Sequence, residues 1–220
     1  MTIKIDKKIT GYSIKENAEA EQETTNVVQM HEKLERPPML YGSTYKITTP
    51  LSQHALYVTI NDIVLNEGTE NELRRPFEIF INSKNMDHFQ WIVALTRIIS
   101  AVFRKGGDVT FLVEELHSVF DPHGGYFKRG GKFTPSLVAE IGDVLESHLR
   151  MIGILKDDGL DEHRKKYIDE KRAALKKSGA DSETGEFPET AELCNKCLTK
   201  AMVYLDGCLT CLNCGESKCG

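Results

Sequence analysis

All six cysteines of this 220-residue chain lie between Cys194 and Cys219, and residues 1–193 contain none. Their spacing is Cys194-x2-Cys197-x10-Cys208-x2-Cys211-x2-Cys214-x4-Cys219. A CxxC turn points two thiolates at one ion, and two such turns close a tetrahedral zinc site. Between them, Ala201–Leu205 has strand character and Asp206-Gly207 reads as a turn, so the pattern is that of a zinc ribbon. The 27 residues from Cys194 onward cannot bury a sufficient core alone. Metal would supply about 10 kcal/mol or more of their folding free energy.

Structural zinc takes four ligands, which leaves two thiols. One partition uses Cys194, Cys197, Cys211 and Cys214 and leaves Cys208 and Cys219 as a redox pair. Gly215, directly after the second CxxC, favours it, because backbone amides must turn around a bound thiolate. The other partition uses Cys194, Cys197, Cys208 and Cys211 and leaves Cys214 and Cys219. In both, the two spare thiols suit exchange with a distant disulfide, which needs only thiolate character and access. The cysteine-free body excludes a disulfide framework there, and any mechanism in which the body supplies a thiol.

Other candidate chemistry is weaker. The stretch His123–Lys132 is rich in glycine but is no Walker loop, since Tyr126 and Phe133 stand where Gly and Ser or Thr are needed. Its Lys128, Arg129 and Lys132 precede a helix start and suit an anion or acidic partner, against the plainer reading of a connecting loop. The seven histidines show no HxxxH or HExxH spacing and read as surface or packing residues.

The elements that must carry the cysteines fall into four segments. Residues 1–37 form an N-terminal arm, polar and acidic over its second half and stopped by Pro37-Pro38. Residues 38–155 form an α+β domain. Tyr45, Ile47, Leu56, Val58, Ile60, Phe77, Ile79 and Ile81 alternate within three β-rich runs, which predicts a small antiparallel sheet. Three helices follow, over about 87–104, 109–120 and from Thr134 as N-cap with Pro135 at the first helical position. In the third, Leu137, Ile141, Leu145 and Leu149 make one apolar face. Residues 156–193 are half charged and read as a helical and flexible linker, with a helix over Asp161–Lys177. Residues 194–220 are the ribbon.

The net charge of −5 includes no strongly basic segment, which argues against nucleic acid as the main partner. No apolar run is longer than the five residues of Trp91–Leu95, far short of the roughly 20 residues that span a bilayer, so no membrane association is expected. The charged N-terminal residues do not suit a signal peptide, and clustered CxxC pairs fit metal or redox chemistry in a reducing cytoplasm.

Several stretches together resemble one family. They are Lys8-Ile-Thr-Gly-Tyr-Ser13, Arg36-Pro-Pro, Gly42–Ile47, Leu56–Asn61, Arg75-Pro-Phe-Glu-Ile-Phe-Ile-Asn82, Pro135–Gly142 and the tail Gly207–Gly220. They resemble the C-terminal region of adenosylcobalamin-dependent, class II ribonucleotide reductases, most closely the split form in which that region is a separate chain. The resemblance implies a non-catalytic subunit of a ribonucleoside-diphosphate reductase in deoxyribonucleotide synthesis. The partner chain would hold the adenosylcobalamin, the nucleotide sites and the active-site cysteines. It also implies that the two non-zinc cysteines re-reduce the partner's active-site disulfide, swung by the 156–193 tether and recharged by a thioredoxin-like or other reductant. The first knuckle, Cys194-Asn-Lys-Cys197-Leu, departs from the commoner CPxCG form. Rival readings are a zinc-ribbon module for nucleic acid or the transcription machinery, and a stand-alone redox-switched zinc protein.

Overall fold

The computed structural model describes residues 27–31, 33–84, 89–156, 162–177, 187–188, 190–205 and 207–219. Most of the arm, residues 1–26, and the linker residues 178–186 lie outside the described residues. Among the described residues the fold is α+β, with small antiparallel sheets and four helices.

Strands β1 (Tyr41–Ile47), β2 (Leu56–Leu65) and β3 (Leu73–Ser83) form an antiparallel meander in the order β1-β2-β3. Alternation puts Ile47, Leu56, Val58, Ile60, Ile79 and Ile81 on one buried face. Helices α1 (Phe89–Lys105), α2 (Phe111–His117) and α3 (Leu137–Met151) cover that face with Ile99, Phe103, Leu112, Leu116, Ile141, Leu145 and Leu149. Helices α2 and α3 approach closely at Gly142, where a Cβ would meet His117 Cδ2 at 2.8 Å and Leu116 Cβ at 3.0 Å.

A register shift between Asn61 and Asp62 interrupts the β2–β3 ladder, and such a bulge re-aims side chains. Ile63, Leu65 and Phe77 gather in a separate small cluster with Met30, Leu34 and Leu40, which docks the 27–40 segment on the body. Arg36 reinforces it through Glu78 at 2.8 Å. Asp62, fully buried, accepts from Arg74 Nε at 2.8 Å. Its other oxygen lies 2.8 Å from Nε2 of the fully buried His148, whose Nδ1 meets the Tyr45 hydroxyl at 2.9 Å. This polar chain ties the sheet to α3 across the core.

The third helix begins later than the sequence suggests. Its N-cap is Ser136, extended at φ −163° and accepting from Ala139 N at 3.0 Å. Thr134 is instead in β5 (Phe133–Thr134), which pairs with β4 (Tyr126–Phe127) as a hairpin. The second helix is also shorter than predicted, ending at His117 with Ser118 as its C-cap.

The remaining strands build the ribbon: β6 (Glu192–Leu193), β7 (Lys200–Leu205), β8 (Cys208–Cys211) and β9 (Ser217–Cys219), antiparallel in that order. Its small core joins Phe187, Cys194, Ala201, Met202, Cys211 and Leu212. Helix α4 (Glu162–Lys177) is tied to it: Arg172 Nε donates to Leu212 O at 2.9 Å, and the guanidinium sits 5.2 Å from the Phe187 ring centre. The ribbon also touches the body. Lys132 pairs with Thr199 as an antiparallel bridge, Lys200 N donates to Gly131 O at 2.9 Å, and Phe133 N donates to Leu198 O at 2.6 Å. Gly131 fits this seam because φ is +76° and a Cβ would stand 3.1 Å from Lys200 Cβ. No helix among the described residues is long and apolar enough to cross a membrane.

Candidate metal and redox site

Two turns bring four thiols together. The first follows β6, where Leu198 N donates to Cys194 O and Cys194 N to Thr199 O, both at 2.9 Å. The second follows β8, where Gly215 N donates to Cys211 O at 2.9 Å. Each turn ends on a left-handed residue directly after its second cysteine, Leu198 at φ +53° and Gly215 at φ +73°. The first knuckle therefore places a leucine where glycine has no steric penalty, a strain of about 1–2 kcal/mol.

The Sγ atoms of Cys194, Cys197, Cys211 and Cys214 all lie within 4.8 Å of one another. Cys194 and Cys214 are 3.7 Å apart, and Cys197 and Cys211 are 3.6 Å apart. With zinc–sulfur bonds of about 2.3 Å, a tetrahedron has sulfur–sulfur edges of about 3.8 Å. The donor set and its spacing fit zinc, and these four residues could hold it. Asn213 N and Cys214 N point at Cys211 Sγ at 3.4 and 3.5 Å, contacts that favour a thiolate.

The electrostatics of the thiols are unequal. Burial raises Cys197, but hydrogen bonds from Asn213 and Thr199 outweigh it and bring its pKa down to about 7. Burial pushes Cys211 up to about 11, with the Cys197 charge adding to it, and drives Cys214 up as well. One negative charge settles on Cys197 and opposes further ionisation beside it, which is the resistance a divalent ion removes. Sequence reasoning missed Asn213 and Thr199, whose side chains join the two knuckles at 3.3 Å. Their signal was a polar residue within one CxxC turn and another just after its mate.

Cys208 and Cys219 stand outside this cluster. They face each other across β8 and β9 and form a disulfide, with Cα atoms 4.3 Å apart. The structure thus groups the cysteines as the first partition does, and keeps Cys214 with the four-thiol set.

The Gly-rich stretch turns inward. Lys132 Nζ is 2.7 Å from Asp143, and Lys128 Nζ is 2.8 Å from Glu140 and 3.3 Å from Asp143. These lysines meet carboxylates of α3 rather than an external anion, while Arg129 stays exposed. Burial would raise Asp143, but hydrogen bonds from His117 and Lys132 and the charges of Lys132 and Lys128 hold it well below the usual carboxylate range. His117, Asp143 and Glu146 also present ligand atoms within 4.8 Å of one another. Lys128, Lys132 and Arg150 already balance those carboxylates, so the group reads as an ion-pair network. It lines a cleft of about 770 Å³ that also reaches Cys197 and Cys214 of the ribbon.

Comparison with known families matches the TSCPD domain over residues 26–149. This domain is found in proteins related to B12-dependent ribonucleotide reductases. The match covers more than half of the chain and ends before the ribbon. No curated protein and no solved structure matches the chain.

Proposed function

The chain belongs to the TSCPD-domain family, and from that premise we propose that it is the redox and assembly subunit of a B12-dependent ribonucleoside-diphosphate reductase. In this reading the catalytic chain is a separate partner that holds adenosylcobalamin and the active-site thiols. The body docks on that partner, and the isolated chain is inactive. Zinc folds the ribbon through Cys194, Cys197, Cys211 and Cys214. Cys208 and Cys219 carry two electrons from a thioredoxin-like dithiol to the disulfide left in the partner's active site after each turnover.

The observation that carries this reading is the division of labour among the cysteines. Four thiols share one cluster, and the remaining two form a disulfide that reaches the surface at Cys219. A purely structural ribbon needs only the four. The cysteine-free body supports the assignment of catalysis to another chain.

The test is reconstitution with the catalytic chain, adenosylcobalamin, a ribonucleoside diphosphate and a dithiol reductant. Full-length chain should sustain many turnovers, and a chain ending at residue 193 should stop after about one. Equal multiple turnover by both would overturn the proposal. Cys208→Ser and Cys219→Ser should match the truncation while keeping zinc.

A further inference from the structure

The two ends of the Cys208–Cys219 bond are unequal. Cys219 lies on edge strand β9 and is exposed, whereas Cys208 lies on inner strand β8 and is half-buried. Thiol–disulfide exchange proceeds by attack on one sulfur, and access decides which. The attacking thiolate must approach along the S–S axis, from behind the sulfur it attacks. Behind Cys219, among the described residues, is the open edge of the sheet. Behind Cys208 is β7, where Leu205 is its cross-strand partner. Helix α4 flanks the same end: Cys208 lines a small cavity of about 150 Å³ with Tyr167, Ile168 and Leu205, and Ile168 is only 3% exposed. The Arg172 contacts to Leu212 and Phe187 hold the helix there.

We propose that Cys219 is the exchanging sulfur and Cys208 the resolving one, an order fixed by the inner position of β8 and the cover of α4. This rests on the reading that the pair carries electrons.

In the recharging step, one thiolate of a dithiol attacks Cys219 Sγ. A bond forms between the reductant and Cys219, the Cys208–Cys219 bond breaks, and Cys208 leaves with the electron pair and takes up a proton. The reductant's second thiolate then attacks its own sulfur in the mixed disulfide, and Cys219 leaves and is protonated. The pair has gained two electrons and the dithiol has become a disulfide. In the delivering step, the Cys219 thiolate attacks the target disulfide and displaces one target thiolate. Cys208 then attacks Cys219 Sγ, which re-forms the original bond and releases the second target thiol. Ile168 is a positioning residue in both steps: it lines the small cavity beside Cys208, where a bulky thiol would have to enter, without touching the reacting target.

The test uses the full-length, zinc-loaded, air-oxidised chain and glutathione as the probe. After a short exposure, free thiols are alkylated and the mixed disulfide is mapped by mass spectrometry following cleavage after Glu216. Glutathione should be found on Cys219, with the alkyl group on Cys208, at least ten times as often as the reverse. An equal or reversed distribution would overturn the order while leaving the electron-carrying reading intact. Absence of a Cys208–Cys219 disulfide in the oxidised chain would overturn both. Ile168→Ala should move the ratio toward parity with zinc content unchanged, and an unchanged ratio would remove α4 from the account.

Discussion

The body and the ribbon reach a stable fold by opposite routes. The body buries a continuous apolar face of one sheet under three helices, and its fully buried side chains include Phe103, Ile60, Ile99, Leu145 and Leu149. The ribbon has four short strands around six buried residues, two of which are themselves cysteines of the four-thiol cluster. In the first region hydrophobic burial organises the polar groups. In the second, four clustered thiols that could hold zinc sit at the centre of what little apolar surface there is. The difference teaches that damage to one region should not read as damage to the other, apart from the short main-chain seam between them.

The sharpest way to break this contrast is to remove the metal. Chelation, or Cys211→Ser, should abolish ribbon structure, a loss of about 10 kcal/mol or more of metal-coupled folding free energy. Amide exchange should then become fast at β7 and β8 while β2 and α3 stay protected. Global unfolding would show that the body depends on the ribbon. The converse variant is Leu145→Ala at a fully buried site, expected to cost about 2–5 kcal/mol of body stability in denaturant unfolding with zinc content unchanged.

A smaller change sharpens the ribbon side. Leu198→Gly should relieve the left-handed strain of the first knuckle and tighten zinc by about 1 kcal/mol, roughly five-fold, in a competition titration. The smallest effect is expected in acid. Asp143 has a folded pKa below its unfolded one, so its stabilisation is complete above about pH 4 and is lost as pH falls through the folded value. The melting temperature of the body should fall below that pH, and Asp143→Asn should flatten the decline.

Periodicity made the body legible. The alternation of Leu56, Val58 and Ile60 and the four-residue spacing of Leu137, Ile141 and Leu145 identify β2 and α3 because a single face of each is buried. Short elements left no such trace. The hairpin β4–β5 has two residues in each strand, too few to show a period, so Thr134 looked like a cap when it was a strand residue. His148 and Asp62 stand far apart in sequence, and only the bulge and the helix packing make them a buried pair. The cysteine spacing limited the zinc set to two choices. Whether Cys208 or Cys214 is spare depends on which strand faces which, because Cys208 opposes Cys219 only through the β8–β9 register. Nothing in the spacing marks residues 131–133 as the place where the ribbon meets the body.

That seam is made chiefly of main-chain atoms, Lys200 N to Gly131 O and Phe133 N to Leu198 O, with the Lys200 ammonium 5.6 Å from the Phe127 ring centre beside them. A contact made by peptide groups is blind to most side-chain identities. Residues on either side can diverge over evolutionary time without loosening it, provided Gly131 keeps its conformation and no proline removes the amide at 133 or 200. The two regions can therefore drift at different rates, the body constrained by its apolar core and the ribbon by its four clustered thiols, while the join between them stays the same.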